Sequence, residues 1–215
     1  RLSNDMRRCT AGKISYAILC NEQGGALDDI LVYGAGQDEY YLIVNASNID
    51  KDLEALRKYA PENAKIEDLS DGMACVAVQG PKSEAVVQKL FGFDLSAMPY
   101  YTHRQEKFNG HDVWLSRTGY TGEDGFEIFS ANADAPAIWD RLAVDGKNAG
   151  ARPAGLGARN TLRLEAGNAL YGHELDEKTT ALEAGLRFAV SISKGGFVGR
   201  DILPGLVKRG HVYAY

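Results

Sequence analysis

Residues 117–128 combine hydrogen-bonding side chains, aromatic rings and three glycines in twelve positions. Glycine weakens a strand, so these glycines indicate a backbone that turns tightly or approaches another group closely. Phe126, Glu127 and Ile128 then begin a predicted strand, with Glu127 on the face opposite its two apolar neighbours. A carboxylate placed there can accept two parallel hydrogen bonds from a planar donor such as a heterocycle. The other interpretation is a surface hairpin with a solvated Glu127.

Two adjacent carboxylates, Asp28 and Asp29, follow a double glycine and lie at the start of a predicted strand. Side chains alternate along a strand, so the two aspartates point to opposite faces and at most one faces a pocket. An acid beside a glycine turn can hold an amine nucleophile by accepting its proton or a hydrogen bond. A turn cap is the alternative, because aspartate is favoured at turns.

A helix is predicted at residues 157–166, and it carries Arg159 and Arg163 four residues apart on one face. Arg159 lies near the helix N-terminus, where backbone N–H groups and the helix dipole already attract anions. A ligand carboxylate can dock there through a fork of hydrogen bonds. The alternative is an ordinary helix whose arginines pair with Glu165 or another acid.

The composition excludes several classes of protein. The 215 residues carry a net charge of -5, with 45% hydrophobic and 25% charged residues. These values fit a globular protein and argue against nucleic acid as the main partner. The apolar runs are too short for a membrane span. Three cysteines without paired spacing indicate free thiols, and the four histidines lack metal-type neighbours, so we predict no metal site.

The hydrophobic pattern predicts strands in groups, with helices between the groups. This order favours an α+β fold over a doubly wound parallel sheet. Strands are predicted at residues 12–20, 27–33, 39–44, 64–69, 73–79, 112–116 and 126–129. Besides the helix described above, helices are predicted at residues 47–59, 80–91 and 133–144. Asn109 and Gly110 predict a tight hairpin turn.

Together and in this order, the motifs resemble the folate-dependent aminomethyltransferase of the glycine cleavage system, the T-protein family. The likeness covers nearly the whole chain. Besides the segments above, it includes Val44-Asn45-Ala46, Val78-Gln79-Gly80-Pro81, Tyr171-Gly172-His173-Glu174-Leu175-Asp176-Glu177 and Phe197-Val198-Gly199-Arg200. Two positions depart from the family pattern: Asn160 stands where Asp is usual, and Ala181 where Pro is usual.

The resemblance implies a reaction and a set of site residues. The reaction passes a one-carbon unit from the aminomethyl-lipoyl arm of H-protein to tetrahydrofolate and releases ammonia. Asp28 matches the essential acid, which is thought to position the reactive nitrogens of folate. Tyr120 and Glu127 match the residues that bind the pteridine ring. Arg159 matches a residue of the same folate site, and Leu42 matches a backbone contact.

The resemblance also implies an α+β fold of two interleaved ferredoxin-like units around a central folate cavity. The family's C-terminal β-rich domain is expected to be largely missing from this chain. Residues 1–69 are expected to form part of the second unit and to carry Asp28. Residues 70–158 form the first unit, with Tyr120 and Glu127. The expected return to the second unit and a terminal stub or tail are residues 159–203 and 204–215.

Two alternative functions remain open at this point. One is a folate-binding module without transferase activity, which acts as a scaffold or regulator. The other is the folate domain of a sarcosine- or dimethylglycine-type demethylase, although the chain has no dinucleotide fingerprint. Family members are found in the bacterial cytoplasm or in mitochondria, so the expected location is the cytoplasm or the mitochondrial matrix.

Overall fold

The computed structural model describes residues 2–203, which form two compact units with one antiparallel sheet each. Unit 2 is the continuous segment Asp68–Asn168. Unit 1 is formed by the described residues on either side of that segment. The α+β fold class predicted from the sequence is confirmed, because helices and antiparallel strands occur together in each unit.

Unit 1 contains a three-stranded sheet in the order β1-β2-β3. Its strands are β1 (Ile14–Cys20), β2 (Ala26–Gly36) and β3 (Glu39–Ile43), and the helix α1 (Ile49–Tyr59) follows them. Strand β3 pairs with β2 only from Leu31 onward, so the start of β2 has no β3 partner. The edge of β2 beside Asp28 is therefore open to side chains from the segment that follows β3.

The unit 1 sheet is covered on both faces, as the alternation along β1 requires. Ile18 and Cys20 on one face belong to a buried cluster with Leu175, Leu182 and Phe197. The other face belongs to a second cluster, which contains Ala17, Leu19, Ile30, Val32 and Ala55. Because Ala55 lies on α1, this second cluster fixes the helix against the sheet.

Unit 2 contains a four-stranded sheet in the order β4-β7-β6-β5. In chain order its elements are β4 (Met73–Gln79), α2 (Ser83–Phe91), β5 (Thr102–Phe108), β6 (His111–Arg117), β7 (Gly125–Ala131), α3 (Ala135–Gly146) and α4 (Leu156–Glu165). The apolar faces of α2 and α3 and the strand side chains form one core, with Val87, Val113, Leu115, Phe126, Ile128 and Ile138 fully buried.

Most predicted elements are present within a few residues of their expected bounds. The strand predicted at residues 64–69 is wrong: this segment is irregular and almost entirely exposed, and it belongs to neither sheet of the described residues. The unit boundary falls after Asn168, whereas the sequence placed it at residue 158, because α4 belongs with unit 2. The tail predicted at residues 204–215 lies outside the described residues.

Candidate functional site

The loop between β6 and β7 is shaped by the side chain of Gln79. Its amide donates hydrogen bonds to the carbonyl oxygens of Thr118 at 3.1 Å and of Phe126 at 3.3 Å. A Cβ atom at Gly119 or Gly125 would overlap the Gln79 side chain. The glycines are therefore needed for a close approach, as the sequence indicated.

The far side of the same loop meets the end of α4. Gly122 has φ +76, and a Cβ atom there would meet Ala166 at 2.7 Å. The side-chain amide of Asn168 donates to the carbonyl oxygen of Tyr120 at 3.0 Å. A glycine at this tight turn thus lets the loop rest against the helix, which fixes the position of Tyr120.

Tyr120 and Arg159, selected from two separate sequence motifs, are in contact. The guanidinium of Arg159 lies over the Tyr120 ring, 4.2 Å from its centroid. Arg159 is exposed and lies in the first turns of α4, which begins at Leu156. The cation therefore faces outward beside a helix N-terminus, an arrangement that suits a ligand carboxylate.

Glu127 is the third predicted residue of this cluster. Its side chain is half-buried, and its Oε2 accepts a hydrogen bond from the Thr118 hydroxyl at 2.5 Å. Burial raises the pKa of Glu127, while the Thr118 hydrogen bond and the charge of Arg159 act in the opposite direction. A carboxylate whose charge is only partly compensated favours a ligand that brings N–H donors.

An open pocket of about 620 Å³ adjoins this loop and is lined by Tyr100, Arg117, Gly119 and Asp124, among others. Burial raises the pKa of the Tyr100 hydroxyl, and the nearby charges of Glu127 and Asp124 add to this shift. Tyr100 was not among the residues selected from the sequence. The one relevant feature of the sequence was the group of aromatic residues in the loop that carries Tyr100. That feature does not indicate what Tyr100 would contact.

The carboxylate of Asp28 is completely buried in unit 1. Its Oδ2 accepts from the backbone N–H of Asn45 at 2.9 Å. Its Oδ1 accepts from the side-chain amides of Asn45 at 2.8 Å and of Asn48 at 2.6 Å. Three N–H groups thus compensate the charge of Asp28, at the edge of β2 that β3 leaves open.

Asp29 is half-buried and accepts a hydrogen bond from the Tyr16 hydroxyl at 2.8 Å. The side-chain amide of Asn45 also donates to Asp29 Oδ1 at 3.0 Å. This one amide therefore bonds to the carboxylates of both Asp28 and Asp29. Burial raises the pKa of Asp29, and the Tyr16 hydrogen bond opposes that shift. Of the two aspartates, Asp29 has the more accessible side chain.

The structure thus groups the five predicted residues by unit. Tyr120, Glu127 and Arg159 lie together in unit 2, whereas Asp28 lies in unit 1. Leu42, also in unit 1, lies on β3 opposite Val32 and packs against the buried cluster that contains Val32. Within residues 2–203, no group of three or more His, Cys, Asp or Glu side chains is placed to hold a metal ion. No helix in that range is long and apolar enough to span a membrane.

These features define an α+β protein with an arginine–tyrosine–glutamate cluster in one unit and a buried carboxylate in the other. The chain belongs to the GCVT N-terminal domain family, whose profile matches residues 2–194. The resemblance to the T-protein family that the sequence motifs suggested is confirmed.

Two curated relatives are named aminomethyltransferase. The chain is 45% identical over 204 residues to that of Thermoanaerobacter sp. strain X514, covering 94% of this chain and 55% of the relative. It is 46% identical over 204 residues to that of Caldanaerobacter subterraneus subsp. tengcongensis, covering 94% of this chain and 54% of the relative. The chain therefore spans about half the length of the curated relatives it matches.

A solved structure has the same fold. The crystal structure of glycine cleavage system aminomethyltransferase T from Bartonella henselae matches with a TM-score of 0.84 at 30% sequence identity. The match covers 97% of this chain and 56% of that one. Both units of the present fold are thus found in a structure of this family.

Proposed function

We propose that the protein is a tetrahydrofolate-dependent aminomethyltransferase of the glycine cleavage system. It passes the one-carbon unit from the aminomethyl-lipoyl arm of H-protein to tetrahydrofolate and releases ammonia. The observation that carries this proposal is the grouping of Tyr120, Glu127 and Arg159 in one unit of a chain that belongs to this family. The expected location follows from the function: the bacterial cytoplasm or the mitochondrial matrix.

Each residue of the unit 2 cluster has a chemistry that suits part of folate. The carboxylate of Glu127 accepts adjacent N–H donors of the pteridine ring. Tyr120 offers a ring face or its hydroxyl. Arg159 suits the carboxylates of the glutamate tail. Leu42 would contribute through its backbone, as the resemblance implies.

The proposed acid is Asp28, which would position the reactive nitrogens of folate. Catalysis of this kind depends mainly on placing two reactants together. Asp28 has no exposed surface, so its three amide donors would orient it before any contact with a ligand. Asp29 is the alternative carboxylate, since it shares the Asn45 amide and is the more accessible of the two.

Calorimetric titration with tetrahydrofolate under anaerobic conditions tests the binding part. Glu127→Ala is expected to lose at least about tenfold in affinity, because a ligand N–H pair would be left without its acceptor. Glu123→Ala is the matched control, since Glu123 is an exposed acid on the same loop. Equal affinities of the parent and Glu127→Ala would contradict the assigned binding site.

Ammonia release from aminomethylated H-protein, with and without tetrahydrofolate, tests the catalytic part in the protein at its natural full length. Asp28→Asn is expected to lose most of its turnover and to retain folate binding. A loss in Asp29→Asn instead would move the role of the acid to Asp29. Folate binding without turnover in the parent would favour the non-catalytic module, and a bound flavin spectrum would favour the demethylase.

A further inference from the structure

A second buried carboxyl group, Asp52, lies beside Asp28 and was not among the residues selected from the sequence. It is 1% exposed and lies in the N-terminal part of α1. Within the described residues, neither of its carboxyl oxygens accepts a hydrogen bond from an N–H or O–H donor. An ionised carboxylate that is buried without hydrogen-bond donors is strongly disfavoured. The burial of Asp52 therefore requires an explanation other than an ordinary ionised carboxylate.

The position of Asp52 on the helix explains what it faces. Asn48 precedes it by four residues, so both side chains project from one face of the chain at the start of α1. The Asn48 amide donates to Asp28 Oδ1 at 2.6 Å. After burial, the neighbouring Asp28 carboxyl raises the pKa of Asp52 most, so the two carboxyl groups are neighbours. The two acids thus form one buried pair, and a hydrogen bond between two carboxyl groups requires that one of them carry a proton.

The donors decide which acid holds that proton. Asp28 accepts three hydrogen bonds from N–H groups, which stabilise its ionised form. Asp52 has no such donors within the described residues, so its ionised form is not stabilised. Burial raises the pKa of Asp52 to about 8, and the hydrogen bond and charge of Asp28 add to that shift.

We propose that Asp52 is a neutral carboxylic acid at physiological pH, that it donates a hydrogen bond to Asp28, and that it is a positioning residue for the Asp28 carboxylate. The pair then carries a single negative charge. The effect on catalysis rests on the proposed function, whereas the protonation of Asp52 does not. When Asp52 ionises, a second buried charge appears beside Asp28 and the hydrogen bond between the two acids is lost.

The charged groups around the pair agree with this assignment. Asp29 on β2 adds to the raised pKa of Asp52, and Lys51 on α1 lowers it. Lys51 is engaged elsewhere, since its Nζ donates to the Tyr171 hydroxyl at 2.6 Å and lies 3.5 Å from Glu177 Oε1. Lys51 therefore does not supply a direct counter-ion for Asp52.

Two variants separate hydrogen bonding from ionisation. Asp52→Asn keeps the size of the side chain and an N–H donor toward Asp28, but it cannot ionise. Asp52→Ala removes the donor as well. Asp50→Asn is the control, because Asp50 is an exposed acid in the same helical turn.

The first measurement is the protonation state of Asp52. Infrared difference spectroscopy and carbon-13 NMR of labelled aspartate both report it. The parent and Asp50→Asn are expected to show a protonated carboxyl group at pH 7 that ionises near pH 8. Asp52→Asn is expected to lack this signal. A parent whose carboxyl groups are all ionised at pH 6 would overturn the proposal, whatever its activity.

Stability provides a second measurement that does not need activity. The raised pKa means that the native state holds a proton that the unfolded state releases above about pH 4. The native state binds more protons in this window, so the parent loses stability as the pH rises from 4 to 8. Asp52→Asn lacks this titrating group. The difference in denaturant midpoint between Asp52→Asn and the parent should therefore move in favour of the variant as the pH rises from 4 to 8. A constant difference in midpoint would contradict the proposal.

The third measurement is the pH profile of tetrahydrofolate-dependent ammonia release by the full-length protein. The parent is expected to lose turnover above pH 8, whereas Asp52→Asn should retain its turnover there. Asp52→Ala should lower kcat at least about tenfold with little change in KM for tetrahydrofolate. A protonated Asp52 in a protein without turnover would refute the proposed function alone. An active parent whose alkaline loss is unchanged in Asp52→Asn would refute the positioning role.

Discussion

The guanidinium of Arg159 lies 4.2 Å from the centroid of the Tyr120 ring, so the N-terminal part of α4 and the β6–β7 loop meet through these two side chains. An exposed cation–π contact contributes only about 0.5–1 kcal/mol, so the fold does not depend on it. The contact leaves the exposed Arg159 side chain beside the start of α4, where folate binding is proposed. The main effect of the contact with Tyr120 is therefore to orient the Arg159 side chain.

Replacing Arg159 should separate binding from stability. Arg159→Ala is expected to weaken tetrahydrofolate binding by about 1–3 kcal/mol, because a charge-assisted hydrogen bond to a ligand carboxylate is lost. The free energy of unfolding should change by less than about 1 kcal/mol. Calorimetric titration and urea unfolding measure the two effects.

Arg152→Ala is the control for Arg159→Ala, because Arg152 is an exposed arginine in the irregular segment before α4. It should bind the ligand as the parent does. A variant at Arg159 that loses both stability and binding would show that the arginine is structural.

Gly119→Ala is expected to destabilise the protein by about 1–3 kcal/mol, because the added methyl group would overlap the Gln79 side chain. The double variant Gln79→Ala/Gly119→Ala should lose less stability than the sum of the single variants, since the overlap is then absent. Urea unfolding of the parent, both single variants and the double variant measures this coupling.

Gly157→Ala is the matched control for Gly119→Ala. A Cβ atom at Gly157 meets nothing within 4 Å, and the residue lies in α4. Alanine is preferred over glycine in a helix by up to about 1 kcal/mol, so this variant should be neutral or stabilised. Equal losses at the two glycines would contradict the overlap with Gln79.

The sequence predicted local features well because their causes are local. The Asn109-Gly110 turn, with φ 51 and φ 87, follows from two residues that tolerate positive φ. The close approach of the glycine-rich loop within residues 117–128 was predicted for the same local reason. The failed strand at residues 64–69 had apolar alternation but no partner strand, and pairing is decided by the whole fold.

The pairing of Asp28 with Asp52 could not be read from spacing. The two residues are 24 positions apart, one on a strand and one on a helix. Asp52 occupies an ordinary position for an acid in the first turns of a helix, where solvent exposure is the usual outcome. Only the packing of α1 on β2 reveals that its carboxyl group is buried.

The resemblance implies that Asp is usual at the position of Asn160, and the structure gives this difference a measurable consequence. Its Oδ1 accepts from Nε of Arg163 at 2.9 Å, and Arg163 is only 3% exposed. Asn160→Asp is expected to raise the free energy of unfolding by about 0.5–1 kcal/mol at pH 7, because a neutral acceptor becomes a charged one. Urea unfolding at pH 7 and at pH 3 measures the gain.

The gain in Asn160→Asp should disappear at pH 3, where the new carboxyl group becomes protonated. Asn148→Asp, at an exposed position, is the control and should leave stability unchanged within about 0.5 kcal/mol. A gain that persists at acid pH would exclude the ion pair as its cause.

Arg117 joins several segments around the unit 2 pocket. It donates to both carboxylate oxygens of Asp124, at 2.9 and 2.7 Å, and to Glu84 at 2.8 Å. It also donates to the carbonyl oxygens of Leu95 and Met98 at 3.1 and 3.0 Å. The hydrogen bond from Arg117 lowers the pKa of Asp124, so the native state favours the ionised carboxylate.

Arg117→Gln is therefore expected to reduce stability by about 2–3 kcal/mol at pH 7. The lowered pKa means that the Asp124 contribution is present above the unfolded value near 4 and is lost as the pH falls through the native value. The difference between parent and variant should therefore shrink as the pH falls toward 2, while the carbonyl contacts remain lost. Arg141→Gln removes an exposed guanidinium whose partner Asp145 keeps its pair with Lys89, so this control should change stability by less than about 0.5 kcal/mol. A difference between Arg117→Gln and the parent that is equal at both pH values would assign the whole effect to the Leu95 and Met98 carbonyls.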